Sequence, residues 1–146
     1  MGAKMAQVDR TFELPDQRSP MISAKELVSD ANTRVKTITP KEAFARLNAP
    51  EAAFIDLRDS AELQRDGKIP GAIHINRGML EFALDPTSPY HHPVFSSGKH
   101  LVLYCASGGR SALAADTAQR MGLVNVSHLG GGFRAWCEAG GGAEKV

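Results

Sequence analysis

Two kinds of hydrophobic pattern take turns along this chain. Short continuous apolar runs, as expected of strands buried on both faces, occur at "AAFIDLR" (52–58) and "HLVLYC" (100–105). "RVKTIT" (34–39), "AIHI" (72–75) and "NVSHL" (125–129) read as further short strands. Helical signals fall around them. Ser23-Ala24-Lys25-Glu26 and Thr39-Pro40-Lys41-Glu42 are capping boxes, the second with proline at the first helical position. "DSAELQRDG" (59–67) predicts a helix closed by Gly67, residues 111–121 predict one stopped by Gly122, and "GGGFRAWCEAGGG" predicts a last helix flanked by glycines. Strands alternating with helices predict an α/β fold: a central five-stranded parallel sheet with helices on both faces. The stretch 77–99, containing "DPTSPYHHP", is left as a long connection of the kind that is often functional.

Length and charge narrow the picture. The 146 residues are enough for one domain with its own core. We place that domain at 21–142, after an expected loosely ordered segment at 1–20 that mixes charge, proline and polar residues. A formal net charge of +1 gives no sign of nucleic acid or of an acidic partner. No apolar run is long enough for a bilayer, and the N-terminus lacks the apolar core of a signal peptide. Cys105 and Cys137 are the only cysteines, no CxxC occurs, and the histidines show no ligand spacing. The expectation is a cytoplasmic protein with no metal, no nucleic-acid partner and no membrane association.

The chemistry concentrates in "LVLYCASGGRSALAAD" (101–116), where a strand ends in Cys105 and a helix begins near Ser111. In an open parallel sheet, ligands bind beyond the carboxyl ends of the strands. Gly108 and Gly109 tolerate turns that aim backbone amides inward. Converging amides and a helix start form an anion site, and Arg110 adds a permanent positive charge. A thiolate is stabilised in such a place. A structural cysteine needs neither the glycines nor the arginine. Cys105 is therefore the candidate nucleophile, and Ala106, Ser107, Gly108, Gly109, Arg110 and Ser111 are the candidate substrate-binding residues. Ser111 reads as the helix N-cap, with a hydroxyl that also faces the sulfur.

"CASGGRS" resembles the active-site loop of the rhodanese (sulfurtransferase) family. "IDLRDSAELQRDGKIPGAIHI" (55–75), "RGMLEFALDPTSPYHHPVF" (77–95) and "HLGGGFRAW" (128–136) resemble other segments of that family, in order, over about residues 35–140. Lys68 departs from the pattern, standing where the family usually has His. The resemblance implies a rhodanese-like fold and a cofactor-free persulfide cycle. Cys105 would take sulfur from a donor such as thiosulfate and pass it to a thiophilic acceptor. The partners would be a small-molecule donor and acceptor, or another protein's persulfide. No general base is needed if the thiolate is preformed.

Other residues read as supports. Asp56 and Arg58 are expected to form an ion-pair network that includes Glu62, behind the site. Phe133 and Trp136 are expected in the core, and Cys137 is expected to be a buried helix cysteine. His91 and His92 are expected to be exposed loop residues. Two alternatives remain. One is a cysteine phosphatase or arsenate reductase, which uses Cys-x5-Arg where this chain has Cys-x4-Arg between Cys105 and Arg110. The other is a rhodanese-like binding or sulfur-carrier module, whose members commonly lose the cysteine.

Overall fold

The computed structural model describes residues 21–146; the segment 1–20 lies outside the described residues. In chain order the elements are α1 (Ala24–Asn32), β1 (Thr37–Ile38), α2 (Pro40–Arg46), β2 (Ala52–Asp56), α3 (Ser60–Asp66) and β3 (Ile73–His74). After these come α4 (Leu80–Leu84), β4 (His100–Tyr104), α5 (Gly109–Arg120), β5 (Val126–Leu129) and α6 (Gly132–Glu138). All five strands are parallel, in the order β1-β5-β4-β2-β3.

Strand alternation divides the core in two. Leu101 and Leu103 of β4 face one side with Ile55, against Ala114, Ala115 and Ala118 of α5 and Leu80 and Leu84 of α4. Val102 and Tyr104 face the other side with Phe54, against Ala43 of α2 and Phe133 and Trp136 of α6. Burial on both faces explains why β2 and β4 read as continuous apolar runs rather than alternating ones. Alanines on the inner face of α5 let that helix lie close to the sheet. Trp136 is fully buried, packs its ring tilted against Phe44 with centroids 4.5 Å apart, and donates its indole N–H to Gly142 O at 2.8 Å.

Both expected capping boxes form, and Asp59 and Glu62 make a third at the start of α3. The outer strands are shorter than their apolar runs, because β1 and β3 each have a single neighbour in the sheet. The 77–99 connection holds more order than expected. It contains α4 and two 3₁₀ turns, and Leu80, Leu84, Val94 and Phe95 lie in the core. His91 and His92 are both half-buried rather than exposed, and the Nδ1 of His92 accepts the Val94 N–H to cap the second of those turns. Lys68 donates to Ala72 O at 2.8 Å, while its backbone bridges to Glu144, so the departing residue does local structural work. Among the described residues, no helix is long and apolar enough to cross a membrane.

Candidate active site

The strand order places β4 at the centre, so its carboxyl end is flanked by the ends of β5 and β2. Cys105 stands there, 1% exposed. Three residues on, Gly108 takes φ +108° and turns the chain back, so that its N–H donates to Cys105 Sγ at 3.2 Å. A side chain at Gly108 would be strained by that φ, although its Cβ would meet the Gly131 amide only at an ordinary contact distance of 3.4 Å. Gly108 is also the N-cap of α5, which starts at Gly109. The expectation of an N-cap at Ser111 is thus corrected. The left-handed glycine ends the loop early and puts Ser111 inside the first turn. There its hydroxyl is buried, 3.7 Å from Cys105 Sγ and 2.9 Å from His128 Nδ1. Ala106 and Gly109 are half-buried and Ser107 is exposed at the rim.

The start of α6 holds the loop from behind. Phe133 N–H donates to Cys105 O at 2.8 Å, and Arg134 N–H donates to Ala106 O at 3.0 Å. These are amides that a helix start leaves without intrahelical partners. So close an approach requires Gly132, with φ +62°. A Cβ there would lie 2.5 Å from Cys105 O and 2.6 Å from Ala106 C.

Arg110 does not stand free beside the sulfur. Its Nη1 and Nη2 donate to the two carboxylate oxygens of Glu62 at 2.8 and 3.0 Å. Glu62 is also tied by its capping box to Asp59. The Arg110 hydrogen bonds hold the Glu62 carboxyl down at about 2, against the opposing effect of burial. The same pairing raises the Arg110 guanidinium, with a further contribution from the charge of Cys105. Asp56 and Arg58 form a separate, fully buried pair at 2.8 Å, and Arg58 also donates to Gly67 O at 2.6 Å. Its guanidinium lies 4.3 Å from the Phe133 ring centroid. Burial acts to lower the Arg58 pKa, but the hydrogen bonds and charge of Asp56 outweigh it and raise it. The expected single network is therefore two pairs. Glu62 faces Arg110 because α3 turns its first turn toward the loop, while Asp56 and Arg58 brace the 58–67 segment.

Two further residues differ from expectation or were missed. Cys137 is exposed, not buried. It sits one helical turn beyond Phe133 in a cleft of about 410 Å³, together with Arg65, Arg134 and Ala106. Residual burial pushes its thiol pKa up. His128, read only as part of a strand, is 2% exposed and bonds Ser111 on one side and Asn32 on the other. A histidine inside a buried four-residue strand is the one sequence signal that could have marked it.

The family model "Rhodanese-like domain" matches residues 39–139. The mouse thiosulfate sulfurtransferase/rhodanese-like domain-containing protein 3 is 34% identical over 106 residues, covering 69% of this chain and 68% of that protein. A solved Rhodopseudomonas palustris protein of unknown function, described as a possible tyrosine phosphatase, is 46% identical with TM-score 0.82. That alignment covers 90% of this chain and all of the other. The polysulfide-sulfur transferase of Wolinella succinogenes is 28% identical with TM-score 0.63, over 84% of this chain and 87% of its own. With its sheet order, its cysteine loop and a family match across most of its length, the chain belongs to the rhodanese-like domain family.

Proposed function

We propose that this protein is a sulfurtransferase that carries a sulfane sulfur on Cys105. The thiolate attacks the outer sulfur of thiosulfate or a similar donor. The donor's S–S bond breaks and sulfite departs with its electron pair, leaving Cys105 as a persulfide. A thiophile such as cyanide then attacks the outer sulfur, and thiocyanate leaves as the thiolate re-forms. The observation that carries this reading is the Gly108 N–H aimed at Sγ from 3.2 Å, in a loop whose carbonyls are fixed by α6. That amide is placed to hold negative charge on the sulfur without reorganising during the reaction. Arg110 contributes a fixed positive charge at the same loop.

The phosphatase alternative has the Rhodopseudomonas relative behind it. Two features weigh against it. Only four residues separate Cys105 from Arg110, a smaller ring than a phosphoryl group with three oxygens requires. Both terminal nitrogens of Arg110 are also engaged by Glu62, whereas phosphate recognition uses that fork bidentately.

Intact mass after thiosulfate treatment tests the proposal. Wild type and Cys137→Ser should gain one sulfur that cyanide removes, and Cys105→Ser should gain none while remaining folded. Release of phosphate from para-nitrophenyl phosphate with no sulfur adduct would overturn the sulfurtransferase reading.

A further inference from the structure

A line of polar groups runs from the reactive sulfur into the protein. Cys105 Sγ is 3.7 Å from Ser111 Oγ, and Ser111 Oγ is 2.9 Å from His128 Nδ1. On the far side of the ring, His128 Nε2 is 2.9 Å from Asn32 Oδ1 and 3.0 Å from Thr37 Oγ1. Ser111 and His128 are 0% and 2% exposed. The four residues of this line beyond the sulfur come from α5, β5, the end of α1 and β1, elements that meet only in the folded sheet.

The hydrogen-bonding roles along this line follow from its chemistry. Asn32 Oδ1 only accepts, so Nε2 carries the ring hydrogen and Nδ1 presents a lone pair. Ser111 has a single hydroxyl proton. Gly108 O at 3.3 Å competes for it, but Nδ1 is nearer at 2.9 Å and takes it. The Ser111 oxygen then turns its lone pairs to Cys105 and accepts the S–H. Each donor points the same way, from sulfur to oxygen to nitrogen.

We propose that His128 is a positioning residue for Cys105, taking up through Ser111 the proton that the thiol loses. The S–H bond breaks and its electron pair stays on Sγ. The proton bonds to Ser111 Oγ as the original hydroxyl proton moves to His128 Nδ1. The products are a thiolate, still held by the Gly108 N–H, and an imidazolium, with no change in net charge. Return along the same path reprotonates the sulfur. The groups facing His128 from α1, β1 and α5 are Asn32, Thr37 and Ser111, all uncharged. Burial lowers the His128 pKa, so the ring is neutral before transfer, and the same burial opposes the imidazolium, which the charge of the thiolate formed with it must offset. The charged groups at Cys105 are Arg110 and, through it, Glu62.

This inference rests on Cys105 as the reacting sulfur, but its test needs no sulfur donor. The rate of Cys105 alkylation by iodoacetamide is measured against pH in the Cys137→Ser background, alone and with Ser111→Ala or His128→Gln. Ring-proton NMR follows the His128 titration before and after alkylation. The parent profile should show an inflection that coincides with the His128 titration. Both variants should lose that inflection and react about tenfold more slowly near neutral pH, the loss of one charge-assisted hydrogen bond. Alkylation should also shift the His128 titration, a measurement that stands even if His128→Gln fails to fold. A folded variant that keeps the parent profile, or a His128 titration indifferent to alkylation, would overturn the proposal. A relay confirmed in a protein that gains no sulfur from thiosulfate would instead count against the sulfurtransferase reading alone.

Discussion

Replacing Glu62 with glutamine preserves the shape of the side chain and removes its charge, which isolates what the Arg110 pair contributes. The Glu62 carboxyl is held at about 2 against an ordinary 4.5, chiefly by the Arg110 hydrogen bonds. A drop of about 2.5 pH units corresponds to ~3.4 kcal/mol at 1.36 kcal/mol per unit. That is an upper bound, because the Arg110 side chain is 41% exposed and solvent screens the pair. A discounted value of about 1–2 kcal/mol is expected. The sign is fixed by the direction of the shift. Because the folded pKa lies below the unfolded one, the stabilisation is complete above about 4.5 and is lost as pH falls through that value toward about 2. Urea denaturation of wild type and Glu62→Gln should therefore differ by about 1–2 kcal/mol at pH 7. The two should converge at acid pH, as far down as the native state survives. The substitution also leaves one amide oxygen where Arg110 had two carboxylate oxygens and removes the negative charge paired with it, so KM for thiosulfate should fall, whereas Arg110→Ala should raise it. A stability difference that stays constant through the acid range would refute the electrostatic account. A KM that rises in both variants would mean that Arg110 works only while Glu62 holds it.

Gly132→Ala should be severely damaging to the cysteine loop. Its Cβ would meet the Cys105 and Ala106 carbonyls at 2.5–2.6 Å, at a φ of +62° that alanine resists. Strain and the loss of two amide clamps should cost about 3 kcal/mol or more in urea unfolding and should slow Cys105 alkylation. A neutral result would show that α6 does not set the loop. Asp56→Asn leaves Arg58 buried with its charge uncompensated, and unfolding should be easier by about 3–5 kcal/mol. Its thiosulfate KM should stay near wild type in the folded fraction, since the side-chain hydrogen bonds of Asp56 and Arg58 are made with each other, with Gly67 O and with the buried Tyr104 hydroxyl. A KM effect without a stability effect would place the pair at the substrate instead.

The sequence by itself determined what is set within one turn or one strand. Buried runs at 52–58 and 100–105, capping boxes at Ser23 and Thr39, and the glycine turn after Cys105 depend on neighbours a few residues away, and each was legible. So was the placing of Cys105 at a strand's carboxyl end, because an apolar run followed by glycines and a helical pattern states it directly. The partners of those residues were not legible. Glu62 reaches Arg110 across 48 positions, and His128 reaches Asn32 across 96, which no periodicity or spacing encodes. Strand order decided both. With β4 between β5 and β2, the end of β5 brings His128 and Gly132 to one side of the cysteine loop, while the turn after β2 brings Glu62 to the other. Tertiary packing also overrode local signals. A serine that looks like an N-cap became a buried member of the first turn, because Gly108 alone can take φ +108° and start the helix earlier. Cys137 stayed at the surface because the buried face of α6 is filled by Phe133 and Trp136. Local chemistry thus named the candidate nucleophile, and the sheet's topology chose the groups that surround it.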